Sequence, residues 1–499
     1  MKKGRKRVLA VLLMVMLLAL ILSGCANDEP PVSSSDEVQT TTATDQIIEE
    51  NGPVTLRVVI EESSDNTRSF INLVNYLKVF FEKNHENVEL VIEEIPLLPK
   101  SREIALTQLR AEVMAGRGPD IYLLPTKEIQ DKFYSAKGEA VESVFPDLNQ
   151  AMRNGVFADI SALYDADTDL RKETLVTGVM DAGVVDGARY VLPLRFNVPL
   201  AYVDMTRLEA AGLSAEAFDS GMIGLMDALA AQNVSVAEAA SAGYITPMAL
   251  NYLPDALDYD NQQLLLTKDD VVDFMNSYQA FKTVQSGKDV KKFVQYAEYI
   301  LAGLHWAESD EYCMQIESVE SIVHQLLIAK AAEMDLGVFP LTTKDGTLVA
   351  DVSFYGAVGA GCEHPELAYD FIRQFLSESS QWEVSVRSKD INALMADGYP
   401  VRMLGSLELI RSNLMGVQVS TNSDVDVQER YHAVEAVKLV DEDIRIIQES
   451  VNKAQFPIPP EESLSDILQH KITANTTAEE IDALADEWLK ELEWHMFEG

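Results

Sequence analysis

Eighty of the 499 residues are Asp or Glu, against 40 Lys and Arg, so carboxylates are the commonest groups able to do chemistry. Such abundance brings Asp and Glu together by chance. A paired-carboxylate hydrolase needs two of them at a set separation across a cleft, which chain spacing does not supply. Other catalytic patterns are missing: there is no GxSxG, no HExxH, no P-loop and no CxxC. Cys362-Glu363-His364 could ligate a metal, but His364 precedes Pro365 at a helix start, where a capping or loop role is favoured over ligation. What remains is hydrogen-bonding chemistry. Glu61-Glu62-Ser63-Ser64-Asp65-Asn66 follows an apolar run, and Asp120 sits at the mouth of another. Polar loops at the carboxyl ends of strands are where open α/β sheets bind ligands. Asp120 reads as a turn residue or ligand acceptor rather than a catalytic acid.

The elements that must hold these residues are legible from apolar spacing. Val54–Ile60 alternates as a strand, and Phe70, Leu73, Val74, Leu77 and Phe81 make one face of a helix. Residues 88–96 give a second strand, and Leu106, Leu109 and Val113 stripe a second helix. That helix should end at Gly118-Pro119, with Gly118 free to take a left-handed cap. A short strand follows, closed by Pro125. Strand, helix, strand, helix, strand imply a parallel sheet with helices on its faces. Later, Leu336–Pro340 and the small-residue run Phe354–Gly361 read as strands, and Pro365 opens a helix. Thr477 and Glu480 form a capping box before a last helix striped by Ile481, Leu484, Trp488 and Leu492, so Trp488 belongs to the core. Residues 214–335 are largely helical by composition, Ala-rich at 228–242, with polar loops around Asn251, Asp255 and Asp260.

The amino terminus carries five basic residues, Lys2, Lys3, Arg5, Lys6 and Arg7, then fifteen apolar ones, Val8–Leu22. That length suits a signal-peptide core and is short for a membrane span. Leu22-Ser23-Gly24-Cys25 resembles the bacterial lipobox, which implies cleavage before Cys25 and lipid, including palmitate, on its thiol. Residues 25–52 are polar, rich in Ser, Thr and acids, and read as a disordered tether. Loss of residues 1–24 would leave 475 residues and remove five positive charges, taking the net charge from −40 to −45. A body of that size forms at least two domains, and its acidity argues against nucleic-acid binding. Cys313 and Cys362 are too few for a disulfide framework; they are either free or joined in one bridge.

Several segments together carry a resemblance. Ala115-Gly116-Arg117-Gly118-Pro119-Asp120-Ile121, Asp186–Leu194, Leu200–Leu213, His364–Leu376 with Ser377, Glu378 and Gln381, and Gly398–Arg402 follow in order. They resemble the signatures of extracellular solute-binding proteins of family 1, the maltose-binding-like receptors that feed bacterial ABC importers. One departure is Val203, where the family usually has Asn after Tyr202; Asn197 could compensate. The match is strong over about 53–213 and 336–405 and weak over 214–335.

The resemblance implies an α/β, two-lobed periplasmic-binding-protein-like fold of type II, each lobe a sheet flanked by helices. A hinge of crossing segments near 193–200, 336–342 and 376–382 would join the lobes. The first lobe would take 53–195 and 336–378, the second 196–335 and, with hinge contacts, the C-terminal helices of 379–499. It further implies closure on a small solute, most often a sugar or oligosaccharide, and delivery to a membrane permease. The protein would be a lipid-anchored monomer on the outer face of the cell membrane, without enzymatic activity, cofactor or metal. Candidate ligand-binding residues are Glu62, Ser63, Asp120, Thr126, Arg195, Asn197, Tyr355 and Arg402. Trp306 is the favoured stacking face, with Tyr244 and Tyr252 as further aromatics. The competing reading is an extracellular lipoprotein enzyme or adhesion protein that keeps this fold but no longer serves transport.

Overall fold

A computed structural model describes residues 52–62, 68–126, 143–236, 246–253, 256–258, 261, 263–285, 313–319, 335–377, 380, 399–403, 434–458 and 461–497. The expected signal sequence, Cys25, almost all of the expected tether, Ser63, Tyr244, Trp306 and most of the expected 376–382 crossing lie outside them. Residues 53–499 form one compact unit.

The first half begins with β1 (Val54–Glu61), α1 (Arg68–Asn84), β2 (Val88–Ile95), α2 (Pro99–Met114) and β3 (Ile121–Pro125). β1 pairs in parallel with both β2 and β3, as right-handed strand–helix–strand units do. The striped face of α1 is buried: Phe70 meets Phe354 at 4.3 Å and Phe81 meets Phe371 at 5.2 Å between ring centres. The chain then passes through a tight hairpin at Asp186-Gly187, both with positive φ, into β4 (Val191–Asp204). Two central residues in that region suit the right-handed twist of a two-residue hairpin.

The helix end before β3 differs from expectation. α2 stops at Met114, and Gly116, not Gly118, takes the left-handed conformation, φ 68°. Gly116 N donates to Val113 O and Arg117 N to Glu112 O, which satisfies the last carbonyls as a Schellman motif does. Gly118 is needed for room: a Cβ there would stand 2.9 Å from the Tyr122 hydroxyl and 3.0 Å from Val113 Cγ2.

After β4 come α3 (Gly221–Ala231), α4 (Lys268–Gln285), β5 (Met314–Val319), β6 (Leu336–Pro340) and β7 (Val349–Val358). The remainder holds α5 (Pro365–Arg373), β8 (Tyr399–Pro400), α6 (Val434–Ser450), β9 (Lys453–Gln455) and α7 (Ala478–Phe497). The strands join in one mixed sheet of nine, ordered β6-β4-β7-β3-β1-β2, with β5 and β8 also on β4 and β9 on β7. α5 starts with Pro365 as expected, and His364 precedes it without a side-chain capping bond. At α7 the capping box forms as written: Thr477 N donates to Glu480 Oε2 at 2.8 Å and Glu480 N to Thr477 Oγ1 at 3.3 Å.

Two separate apolar cores flank this sheet. One gathers β1, β2, β3, β7, α1, α5 and the first part of β4; the other gathers α3, α4, α7 with Trp488, and β5. β4 belongs to both. Its first half pairs with β7, its second with β5 and β6. Because side chains alternate along a strand, Leu200 and Tyr202 enter the first core while Ala201 and Val203 enter the second. Two further passages connect the cores: Leu341 lies in the second and Leu348 in the first, and Phe456 lies in the first and Ile458 in the second. Of segment 379–499, expected in the second lobe, Tyr399, Val401, Ile444, Ile447, Val451 and Ala454 pack in the first core. The second core takes over from Ile458.

Candidate functional site at the passage between the cores

The carboxyl ends of β1 and β3 and the middle of β4 lie at one level of the sheet. Phe354 of β7 stands opposite Pro125 in β3 and Arg195 in β4, and Asp351 stands opposite Asn197. Pairing of β7 with β4 slips between Val352 and Phe354, and again between Phe354 and Tyr355. Such irregularities redirect side chains and are frequent beside binding sites.

Polar groups collect along this level. Thr126 N donates to Ser353 O at 3.0 Å, and its hydroxyl donates to Val352 O. Glu62 accepts from Leu97 N at 3.0 Å through Oε2. Its neighbour Glu61 is buried and bonded to Arg102 of α2, and its second oxygen, Oε2, has no partner among the described residues. Burial pushes the Glu61 carboxyl up against the opposing pull of Arg102. Asp351, 1% exposed, accepts from Asn251 Nδ2 at 3.0 Å. Asn251 Oδ1 in turn accepts from Gln455 of β9, and β9 runs alongside β7. Asn197 Oδ1 is buried and lacks a partner among the described residues. Polar side chains from several elements thus lie along this level, where the unpaired buried oxygens Glu61 Oε2 and Asn197 Oδ1 are ready acceptors for a ligand donor.

The expected site residues divide. Glu62, Thr126, Arg195 and Asn197 lie at this level. Tyr355 is next to it but faces the first core, against Phe157 and Phe456. Asp120 is at the opposite end of β3, six positions from Thr126 and so roughly 20 Å away along an extended strand. There it holds a loop together: its carboxylate accepts from Arg57 N at 2.8 Å, its own N donates to Arg57 O, and Gly359 N donates to its carbonyl. Arg402 is buried, donating through Nε to Leu376 O and through Nη2 to Leu170 O, each at 2.7 Å, and through Nη1 to Thr174 Oγ1. Tyr252 is buried in the second core.

Asp351, Gln455 and Ser353 were not singled out by their local sequence, and Glu61 was marked only as the first residue of a polar loop. Asn251 was marked only as part of a polar loop. Asp351 is an acid inside a largely apolar strand, and that misfit is the signal the sequence offers for it.

Nothing described is arranged for bond breaking. Cys313 and Cys362 are free thiols, and burial pushes them up to about 11 and about 12, so neither is a nucleophile near neutral pH. Among the described residues no group of three or more His, Cys, Asp or Glu could hold a metal. No described helix is long and apolar enough to cross a membrane.

No protein-family model matches the sequence, and no curated protein matches it. Solved structures do. An extracellular solute-binding protein of family 1 from Alicyclobacillus acidocaldarius is 14% identical, over 90% of this chain and 99% of that chain, with a TM-score of 0.51. The periplasmic oligogalacturonide-binding protein of Yersinia enterocolitica is 13% identical over 89% and 100%, with a TM-score of 0.52. The chain has the fold of the family 1 solute-binding proteins. A de novo designed cysteine esterase matches the same architecture, at 13% identity over 90% and 100% and a TM-score of 0.53.

Proposed function

We propose that this protein is an extracellular receptor that captures a sugar or oligosaccharide between its two lobes and delivers it to the permease of an ABC importer. One observation carries the reading: a continuous strand, β4, joins two separate cores, and unpaired or amide-rich polar side chains gather where it crosses. A strand shared by two cores is a hinge element, and hinge closure around a ligand is a recurrent device. Amide and carboxylate groups suit the many hydroxyls of a saccharide, and the Yersinia enterocolitica protein of this fold is itself named as an oligogalacturonide binder. In this reading Cys25 carries the lipid that anchors the receptor to the outer face of the membrane, and residues 26–52 are its tether. The receptor acts as a monomer and turns nothing over.

A neutral ligand is favoured despite the net charge of −40. Exposed charges are screened beyond about 8 Å at physiological salt, whereas hydrogen bonds and ring stacking in a cleft are not. The test is thermal-shift screening of the purified protein against mono- and oligosaccharides, followed by calorimetry of the best binder at about 0.05 and 0.5 M salt. Tight binding that barely depends on salt, with the sugar recovered intact, is expected. A tenfold or greater loss with salt, a hit confined to cationic solutes, or consumption of the sugar would overturn the reading. Cys25→Ser should abolish metabolic labelling by fatty acid; undiminished labelling would refute the anchor.

A further inference from the structure

Asn251 is out of place in its own lobe. Its neighbours Ala249, Leu250, Tyr252 and Leu253 all pack in the second core. Its side chain reaches the other way, to Asp351 on β7 and Gln455 on β9, whose neighbours Ala350, Val352, Ala454 and Phe456 belong to the first core. The contact is only 2% exposed at Asn251 and 1% exposed at Asp351, and it is complementary: the amide donates to a carboxylate and accepts from an amide. Asp351 is also the residue opposite Asn197 on β4, so the contact sits directly beside the strand shared by the cores.

We propose that Asn251 is an interlobe latch, and that its bond to Asp351, supported by Gln455, sets the balance between the lobe arrangement seen here and a more open one. The proposal rests on the receptor reading for its use in ligand capture, but not for its geometry. A hydrogen bond between an amide and a buried carboxylate is lost when the two cores part, so it favours the arrangement in which it is formed. Losing one charge-assisted bond of this kind shifts a two-state ratio by roughly tenfold. A receptor with a weakened latch would therefore spend more time open and bind its solute more weakly by the same population factor.

The test needs no ligand. Spin labels placed at Ile104→Cys on α2 and Lys490→Cys on α7, both exposed, report the interlobe distance in the full-length chain with the native cysteines replaced by serine. Asn251→Asp sets a carboxylate against Asp351 and should move the distance distribution toward longer values. The double exchange Asn251→Asp with Asp351→Asn rebuilds one amide and one carboxylate and should move it back. Asn251→Ala serves the same purpose if the aspartate variant does not fold. An unchanged distribution in a folded single variant, or no return in the double exchange, overturns the latch. A protein that binds no sugar yet shows these shifts would overturn only the receptor reading.

Discussion

Arg102→Met isolates a buried charge at the carboxyl end of β1. The wild-type pair is almost wholly buried, with side chains 4% and 2% exposed at Arg102 and Glu61. Removing the guanidinium leaves the Glu61 carboxylate without a counter-ion, and Oε2 already lacks a partner among the described residues. Breaking a buried pair in this way costs about 3–5 kcal/mol, or roughly 3–6 °C of melting temperature in a unit as large as residues 53–499. Burial already raises the Glu61 carboxyl, and Arg102 is what opposes the rise. Without Arg102 the folded carboxyl climbs further above its unfolded value. The native state then binds the proton more readily than the unfolded state, so stability falls as pH rises through that window and returns as pH drops toward the ordinary carboxylate range. Calorimetric melting of both proteins at pH 5 and pH 7.5 should show the variant's deficit clearly smaller at pH 5. An equal deficit at the two pH values, or one below about 1 kcal/mol at pH 7.5, would refute this account of Glu61.

Two glycines should respond in opposite measure. Gly359→Ala would drive its Cβ to 2.0 Å from Pro119 O and should lower the melting temperature severely, whereas Gly116→Ala meets open space and costs only about 1 kcal/mol for its φ of 68°. A mild Gly359→Ala variant would show that the loops at Pro119 and Gly359 part easily. Arg402→Met should lose several degrees of melting temperature with little change in solute affinity, since its three bonds run to Leu376, Leu170 and Thr174; calorimetric titration showing the reverse would restore it as a ligand residue. Thiol titration at pH 8 should find Cys313 and Cys362 unreactive until the chain unfolds, and rapid labelling in the native state would contradict their burial.

The sheet and its first helices were legible because burial on one side imposes a period that the chain displays: Phe70 to Phe81 and Val54 to Ile60 needed no context. The capping box at Thr477 is equally local, since donor and acceptor lie three residues apart. Helix termination at Gly116 rather than Gly118 was not legible, because either glycine can adopt positive φ and the choice depends on Tyr122 and Val113 pressing on Gly118. The latch escaped notice for a stronger reason. Asn251 lies 100 positions from Asp351 and 204 from Gln455, so no window of sequence contains the pattern. Arg402 was a candidate because Gly398–Arg402 resembles a family segment; only the fold shows Leu376, Leu170 and Thr174 accepting from its guanidinium.

The placement of β7 between β3 and β4 has a consequence for how the polypeptide comes into being. Emerging from the ribosome, the nascent chain makes β1 to β4 first, yet the strand that seals them together begins at Val349. Until then β3 and β4 each lack the neighbour that β7 supplies, and the first core also lacks Phe456 from beyond β9. Pairing of this kind is non-local and slow. A translation product of some three hundred residues therefore has no finished lobe to lock it into a globule.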